Sequence, residues 1–408
     1  MAWQPPQKPG DTDPLISDAK AYLARYSYGK GLGTTDEYTP EFGTALRQYG
    51  ANTHDQVLKG RIAPPDVNDD GIFDWAIKTQ MKLLAPPVVV KPRGPRIPTF
   101  VFRGTGGIIG EDIVSRVCQR LGDLVLELNT PWAATMGGIP VGATQGGIGA
   151  PSMWSAIQAG LAAAQAEFLG RYRVNPKIKI CIIGYSAGAI LAMLFREWIL
   201  KNFPECYVAS ATFGDPTRPE NAAFFGQIVP GNGIANFEIG DPRDYRHAWC
   251  THAKDIYAQI PGGTVGKIME LVYAQVSQFA FTDLLQFAAR MLAAIPQALE
   301  LLGITAPAVV KALNGGIGGI FGFGLQQFIL AMGGLIPLGI PDEKLTGTAA
   351  AARAAVLGLE FLFAGTGPHI RYDFDPAWIN PDGSPGPTFT DFAVMHFRDY
   401  IGRLAVAA

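Results

Sequence analysis

Near the middle of the sequence, in Gly184-Tyr-Ser-Ala-Gly188, a serine has a glycine two residues before it and another two residues after it. The β-branched run at residues 178–183 predicts a buried parallel strand, and the Ala-, Leu- and Met-rich stretch after the serine predicts a helix. Strand, G-x-S-x-G and helix in this order are typical of a nucleophile elbow, and this context argues against a chance match. The helix N-terminus would also offer N–H groups to a developing oxyanion. We therefore predict that Ser186 is a nucleophile.

A serine nucleophile needs a base that removes its proton, and the base needs an acid that orients it. In hydrolases with this strand–serine–helix unit, the acid follows the nucleophile along the chain and the histidine follows the acid. We predict that His369 is the base, because it lies in a loop ahead of the last predicted helix, from which it can reach the sheet edge. The alternatives are His396, inside the pattern of that helix, and His252 or His247; His54 precedes the predicted sheet.

Asp255 is the predicted acid. It follows a strand predicted at residues 236–239 and precedes a long helical segment. Asp215, Asp241 and Asp244 are the alternatives, but aspartates in Gly- and Pro-rich surroundings commonly serve turns or caps.

An oxyanion hole in such a site takes one N–H from the residue after the nucleophile and a second from the loop after the first strand. These rules predict Ala187 and Thr105. The same loop could instead be a dinucleotide fingerprint, but Gly104, Gly106 and Gly110 give G-x-G-x-x-x-G, one residue longer than that motif requires.

The composition bounds the remaining possibilities. A chain of 408 residues with 48% hydrophobic and 17% charged residues can bury a large core in two or three domains. A net charge of −2 without a long basic run gives no electrostatic case for nucleic acid. The cysteines lack metal-ligand spacing; they leave open one or two disulfides and exclude a disulfide scaffold. They are Cys118, Cys181, Cys206 and Cys250. The predicted chemistry requires no metal and no cofactor.

The N-terminal part differs from the rest of the chain in its composition and in its predicted secondary structure. Residues 1–13 form a Pro- and Gly-rich arm without the charged start and apolar core of a secretory signal. Residues 14–85 are polar, and helices are predicted near 15–23, 40–49 and 72–84; Thr39 is placed to cap the second and Pro40 to begin it. Residues 86–98 form a Pro-rich linker.

From residue 99 to residue 260, strand and helix patterns alternate, which predicts a doubly wound parallel sheet. Strands are predicted at residues 99–103, 123–128, 178–183, 207–213 and 236–239, with helices at 112–121 and 152–169 and a Gly-rich loop at 137–149.

Residues 261–357 break this alternation with helices rich in Ala, Leu, Phe and Gly. The run 312–340 carries no charge, so a membrane span is one interpretation, but its glycines, Pro337 and lack of basic flanks argue against it. We predict a helical insertion with an apolar face that makes peripheral contact with the outer lipid layer and does not span it. Residues 358–408 return to the core and end in a helix near 390–404.

Two resemblances follow from these residues. Asp70-Gly-Ile-Phe-Asp74, with the helix pattern after it, resembles the D-G-x-F-G repeat of peptidoglycan-binding domains, although Asp74 stands where that family has Gly. A turn followed by an amphipathic helix would give the same pattern. If the resemblance holds, the domain contacts peptidoglycan.

The rest of the chain resembles the mycobacteriophage lysin B family of cutinase-related esterases. The resemblance rests on the order of several motifs. They are Gly104-Thr-Gly106, Gly184-Tyr-Ser-Ala-Gly188, Phe213-Gly-Asp-Pro-Thr-Arg218, Lys254-Asp-Ile-Tyr257 and His369-Ile-Arg-Tyr372. The sequence thus predicts an α/β protein, a cutinase-like α/β-hydrolase whose parallel sheet carries a helical insertion and a small N-terminal helical domain.

This resemblance implies an esterase that releases mycolic acids from arabinogalactan during phage lysis. It would be made in the host cytoplasm without a signal peptide and would act at the mycobacterial cell envelope. A host-type cutinase, lipase or mycolyl-ester acyltransferase would share the same three residues. A non-catalytic wall-binding or virion protein on a hydrolase fold is a further alternative.

Overall fold

The computed structural model describes ten stretches of the chain. They are residues 6–62, 67–84, 96–138, 149–224, 229–253, 255–278, 336–337, 339–360, 366–379 and 384–406. The first residues of the predicted arm, nearly all of the linker, most of the Gly-rich loop, Lys254 and most of the uncharged run 312–340 lie outside the described residues.

Within these stretches, five strands form one sheet in the order β2-β1-β3-β4-β5, and every neighbouring pair is parallel. The strands are β1 (Ile97–Phe102), β2 (Val125–Asn129), β3 (Ile180–Tyr185), β4 (Tyr207–Phe213) and β5 (His247–Cys250). All five carboxyl ends therefore lie at one edge of the sheet. Gly184, near the end of the central strand, pairs with Phe102 on one side and Thr212 on the other.

The last strand is not where the sequence predicted it. Residues 236–239 are irregular, and Ile239 N–H bonds the carbonyl of Thr217 in the loop after β4. The strand that pairs with β4 is His247–Cys250. This strand is hard to predict from the sequence because it is only four residues long and begins with a histidine. The ring of that histidine bonds the hydroxyls of Ser210 and Thr212 on β4.

The first strand begins two residues earlier than predicted and includes Pro98. Proline cannot donate a ladder hydrogen bond and is tolerated where one side of a strand has no partner. Pairing of β1 with β3 begins at Thr99, so Pro98 has a strand neighbour on the β2 side alone.

Helices cover both faces of the sheet, as a doubly wound topology requires. On one face, α5 (Met153–Val174) and α6 (Ala187–Asn202) pack on side chains such as Phe100 and Ile182. On the other face, α4 (Ile113–Leu121) and the C-terminal helix pack on Val101 and Ile183. Alternate residues of one strand thus enter opposite cores, which explains why the central strand β3 is apolar on both of its faces.

Two helices account for most of the described part of the predicted insertion. It contains α7 (Gly263–Ser277) and α8 (Gly347–Glu360), and Val265 and Met269 of α7 share a core with Ala350 and Ala354 of α8. No helix among the described residues is both long and apolar enough to cross a membrane. The chain then forms the short α9 (Thr366–Ile370) and ends in α10 (Phe389–Val406), close to the predicted helix at 390–404.

The N-terminal helices enclose a core of their own. They are α1 (Pro14–Leu23), α2 (Pro40–Leu58) and α3 (Trp75–Gln80), capped by the side chains of Asp13, Thr39 and Asp74 respectively. The helix α2 continues nine residues past the predicted end. Gly50 lies within this helix because the backbone near Asn68 packs directly against it, which leaves no room for a side chain. A Cβ at position 50 would lie 2.2 Å from the carbonyl oxygen of Asn68.

The N-terminal helices are packed against the sheet domain. Arg403 Nη2 on α10 lies 2.9 Å from Asp13 Oδ2. The ring of Trp75 lies 5.7 Å from that of Trp378 and belongs to the core under α4 and α10.

Candidate active site

Ser186 occupies the turn between β3 and α6 with φ 56° and ψ −128°, a backbone conformation that L-residues rarely adopt. The turn is closed by Gly184 and Gly188. A Cβ at Gly184 would lie 2.6 Å from Gly188 O, and one at Gly188 would lie 2.2 Å from Arg103 O. The turn therefore requires glycine both two residues before and two residues after the serine.

The structure brings Ser186, His369 and Asp255 together in one hydrogen-bonded row. Ser186 Oγ lies 3.0 Å from His369 Nε2, and His369 Nδ1 lies 2.8 Å from Asp255 Oδ2. The relative exposure is 7% for the serine, 8% for the histidine and 0% for the aspartate. A hydroxyl, an imidazole and a buried carboxylate in this order can generate a serine nucleophile, because Nε2 accepts the hydroxyl proton while the carboxylate holds Nδ1–H.

Three elements carry this row to the same edge of the sheet. Ser186 follows β3, Asp255 follows β5, and His369 lies on α9, a five-residue helix where the sequence predicted a loop. Gly214, the residue after β4, passes directly below the imidazole. A Cβ there would come within 2.6 Å of His369 Cε1 and 2.9 Å of Asp255 Oδ2.

The Asp255 carboxylate receives two further hydrogen bonds. The N–H of Tyr257 donates to Oδ1 at 3.0 Å, and the hydroxyl of Tyr372 donates to Oδ2 at 2.5 Å. Burial raises the pKa of Tyr372 well above its usual value, with the adjacent carboxylate adding to the effect. The phenol therefore keeps its proton and remains a donor.

A second tyrosine holds the histidine from the side of the nucleophile. Tyr185 donates its hydroxyl to His369 O at 2.9 Å, and its ring stacks on the imidazole with centroids 5.0 Å apart. Sequence reasoning assigned no role to Tyr185, Tyr372 or Gly214. Tyr185 lies inside the G-x-S-x-G motif and Tyr372 lies three residues after the histidine, so both were visible; their hydrogen bonds depend on the folded loops.

The loop after β1 approaches the nucleophile. A Cβ at Gly104 would lie 3.4 Å from Ser186 Cβ, and Gly104 N–H donates to Asp112 Oδ2 at 2.7 Å. Among the described residues, no acceptor bonds the N–H of Thr105. Ala187 is the first residue of α6, where a backbone N–H has no partner within the helix. Both N–H groups are thus available for an oxyanion.

The other histidines lie elsewhere. His396 lies on the buried face of α10 and bonds the carbonyls of Ser210 and Arg246, and burial lowers its pKa to about 4. His247 is buried in β5, and burial holds its pKa well below the usual value. His252 pairs with Asp375 at 2.7 Å near the surface.

The alternative acids serve local structure. Asp215 accepts hydrogen bonds from the backbone and hydroxyl of Thr217, and Asp241 accepts from Arg243 N–H. Asp244 lies 2.6 Å from Arg196 Nη2. All four cysteines are free and buried, without a disulfide. In the described part of the chain, no cluster of three or more His, Cys, Asp or Glu could hold a metal ion.

A groove of about 1130 Å³ lies between the loops that follow β4 and β5 and the helix α8, and none of the three residues of the row lines it. Pro368 and Ile256, sequence neighbours of the histidine and the aspartate, form part of its wall. The wall is mainly apolar, and several charged side chains line it as well. These are Glu220, Asp342, Glu343 and Arg353.

The all-parallel sheet, the serine at a strand–helix turn, and the acid and histidine after it at the same edge define a cutinase-like α/β-hydrolase fold. No protein-family model and no curated protein matches the sequence significantly.

Among solved structures, the chain is similar to lysin B from Mycobacteriophage D29, with a TM-score of 0.34 and 16% identity over 52% of this chain and 92% of that one. It is similar to a cutinase-like protein from Cryptococcus sp., with a TM-score of 0.31 and 12% identity over 45% of this chain and 96% of that one. The catalytic core of acetyl xylan esterase from Trichoderma reesei gives a TM-score of 0.31 and 18% identity over the same shares.

Proposed function

We propose that the protein is a serine hydrolase of carboxylic esters. The observation that carries the proposal is the row from Ser186 through His369 to Asp255, with heavy-atom distances of 3.0 and 2.8 Å. These distances fall in the range at which a histidine base can take a proton from a serine hydroxyl.

In this mechanism, Ser186 Oγ attacks the ester carbonyl while His369 Nε2 takes its proton. The buried carboxylate of Asp255 keeps the proton of the neutral imidazole on Nδ1 and stabilises the imidazolium that forms. The N–H groups of Thr105 and Ala187 receive the oxyanion. His369 then protonates the departing alkoxide, and a water molecule, deprotonated by the same histidine, releases the acid from Ser186.

We propose further that the substrate is the ester between mycolic acids and arabinogalactan in the mycobacterial envelope, cleaved during phage lysis. Two features support this choice. The motifs in the chain follow the order found in lysin B proteins, and the groove lined by Pro368 and Ile256 combines apolar walls for an acyl chain with carboxylates that can accept hydrogen bonds from sugar hydroxyls.

The proposed role of the N-terminal helices is contact with peptidoglycan. A shallow depression of about 240 Å³ on their surface is lined by Tyr26, Tyr28 and Tyr49 together with Asn52 and Gln56. The rings of Tyr26 and Tyr28 are parallel, with centroids 5.3 Å apart. Tyr26 is 37% exposed, and an exposed aromatic ring beside amide side chains suits a sugar ring, which presents C–H groups and hydroxyls.

The esterase proposal is tested with wild type and Ser186→Ala on p-nitrophenyl butyrate and on purified mycolylarabinogalactan. Wild type should release p-nitrophenol and free mycolic acid, and Ser186→Ala should release neither at more than about one-thousandth of that rate. The melting temperature of Ser186→Ala should stay within a few degrees of wild type.

Ser210→Ala is a matched control, because Ser210 also contacts a histidine, His247, at 2.6 Å. That pair is buried within the sheet and is not part of a nucleophile elbow. The Ser210 variant should be less stable and still active. If wild type hydrolyses only the short ester, the esterase activity is supported and the proposed mycolate substrate is rejected. A folded wild type that cleaves neither ester would contradict the whole proposal.

The peptidoglycan contact is tested by co-sedimentation with insoluble peptidoglycan. Tyr26→Ala should bind more weakly, whereas Leu58→Ala on the same surface, at a side chain that is 71% exposed outside the depression, should bind as wild type does. Equal sedimentation of the two variants would rule out the depression as the site of contact.

A further inference from the structure

Tyr372 is a buried polar side chain that contacts the row. It is fully buried, and its hydroxyl lies 2.5 Å from Asp255 Oδ2. This is the same carboxylate oxygen that receives His369 Nδ1 at 2.8 Å. The histidine and the tyrosine therefore share one acceptor, so a change in one hydrogen bond must alter the other.

The phenol oxygen also accepts a hydrogen bond. The backbone N–H of His252 points to Tyr372 Oη at 3.3 Å. A hydroxyl that accepts a hydrogen bond becomes a stronger donor, because the bonds in such a chain polarise one another. The chain runs from the loop after β5, through the phenol, to the carboxylate and on to the imidazole.

Packing fixes the phenol ring independently of its hydroxyl. The ring meets Phe389 with centroids 5.2 Å apart and Phe213 with centroids 5.6 Å apart. Both contacts belong to the ring alone and would remain after loss of the oxygen atom. The contribution of the hydroxyl can therefore be separated from that of the side chain.

We propose that Tyr372 is a positioning residue that acts through Asp255: its hydroxyl withdraws negative charge from Oδ2 and thereby limits the basicity of His369. The inference rests on the proposed catalytic use of His369. Without the hydroxyl, the carboxylate would carry more charge toward Nδ1–H, the imidazolium would be favoured, and the pKa of His369 would rise.

Several other titratable or charged groups face this network, and each remains in place when Tyr372 is changed. Tyr185 comes from the end of β3 and Tyr257 from the loop that carries the acid, both with rings within about 5 Å of the imidazole. Arg218 comes from the loop after β4, and His252 with its partner Asp375 lies on the outer side of the phenol.

The test measures the pKa of His369 directly, by NMR titration of protein labelled with isotopic histidine, with the resonance assigned by its loss in His369→Gln. Tyr372→Phe should raise this pKa by about half a unit or more. Site-specific 3-fluorotyrosine at position 372 keeps the shape and makes the hydroxyl a stronger donor, so it should lower the pKa. Opposite shifts from two variants that share the same ring packing exclude a purely structural role.

Tyr400→Phe is the matched control. It removes one tyrosine hydroxyl that donates to Tyr245 O at 2.8 Å on the outer side of α10. It should leave the pKa of His369 unchanged. If Tyr372→Phe does not fold, the pKa of His369 in the 3-fluorotyrosine protein tests the proposal by itself, because the ring packing in that protein is the same as in wild type.

A double-mutant cycle identifies the residue through which Tyr372 acts. At a pH at which His369 is mostly protonated in both proteins, the rate of Ser186 labelling by a fluorophosphonate should fall about threefold in Tyr372→Phe, because a rise of about half a unit in the pKa lowers the neutral fraction of the imidazole by that factor. The same change made in Asp255→Asn should alter the labelling rate less than about 1.5-fold. Equal losses in both backgrounds, a pKa within 0.2 unit of wild type, or shifts of the same sign in the phenylalanine and fluorotyrosine variants would overturn the proposal. Because the titration needs no substrate, absence of ester hydrolysis would reject the proposed function separately.

Discussion

Ser186 keeps its unusual backbone conformation because the space around it is filled. Its N–H donates to Phe213 O at 2.9 Å, and the glycines on both sides touch neighbouring backbone. Such a conformation costs about 1–3 kcal/mol and persists where the surrounding structure determines it. The strain presents Oγ at the head of α6, where the base can reach it.

A substitution at Gly214 would show how little space surrounds the imidazole of His369. Gly214→Ala should lower kcat/KM by about 100-fold or more, because the new Cβ would come within 2.6 Å of His369 Cε1 and because φ at this position is +56°. Steady-state kinetics and thermal melting of the purified variant provide the measurement. Gly170→Ala is the control: no atom lies within 4 Å of its new Cβ on α5, and it should be fully active and as stable or slightly more so. Wild-type kinetics in Gly214→Ala would show that the imidazole is free to move.

His396 should govern part of the pH dependence of stability. Its pKa falls from 6.5 in the unfolded chain to about 4 in the buried site, so the unfolded state binds more protons between these values. The stability it contributes is complete above pH 6.5 and is lost as the pH falls toward 4. Urea unfolding at pH 7 and pH 5 should show a drop about 2 kcal/mol larger for wild type than for His396→Gln.

The same variant separates the two histidines in function. His396→Gln should keep most of its ester hydrolysis at pH 7.5, whereas His369→Gln should lose it. An inactive, folded His396→Gln would mean that the assigned base is wrong.

Removal of either of two aspartate helix caps should lower stability, but removal of only one of them should also lower activity. Asp112 caps α4 and also binds Gly104 N–H, whereas Asp13 caps α1 far from the row. Each change to alanine should cost about 1–2 kcal/mol of stability. Asp112→Ala should in addition lower kcat about tenfold, because the loop that carries Thr105 loses its anchor. Similar kcat values for the two variants would indicate that this loop does not take part in the reaction.

Most elements could be predicted from the sequence, and the exceptions have physical reasons. The buried strands β3 and β4 and the cap of α2 follow from local pattern alone. The strand β5 could not be predicted, because its identity depends on hydrogen bonds from His247 to hydroxyls 35 and 37 residues away. The chain order of hydrolases indicated the three residues of the row, whereas the tyrosines that support it act through contacts across 117 and 184 residues.

The molecule as a whole joins the N-terminal helices to the sheet domain through a side-chain interface. Trp75 is 5% exposed and belongs to the same core as α10, and Arg403 pairs with Asp13 beside it. The sequence indicated a domain on a Pro-rich linker. It could not show that the domain is docked, because that depends on Trp378, some 300 residues further along the chain.

Trp75→Ala should therefore separate the unfolding of the two parts. Loss of a buried tryptophan costs about 3–5 kcal/mol, and calorimetry should show the N-terminal helices unfolding at a lower temperature than the sheet domain. Hydrolysis of a short soluble ester should persist, because Ser186, Asp255 and His369 all belong to the sheet domain. Leu58→Ala, at an exposed position, should unfold as wild type does. A single, uniformly shifted transition would mean that the two parts form one cooperative unit.

The four buried thiols have a practical use. They lie on α4, on β3, at the turn before β4 and at the end of β5, and burial raises the thiol pKa at each of them. A thiol of this kind reacts with an alkylating reagent when its own element opens. Mass spectrometry of a labelling time course would therefore measure the opening rates of four neighbouring parts of the sheet domain in one sample, with no engineered probe.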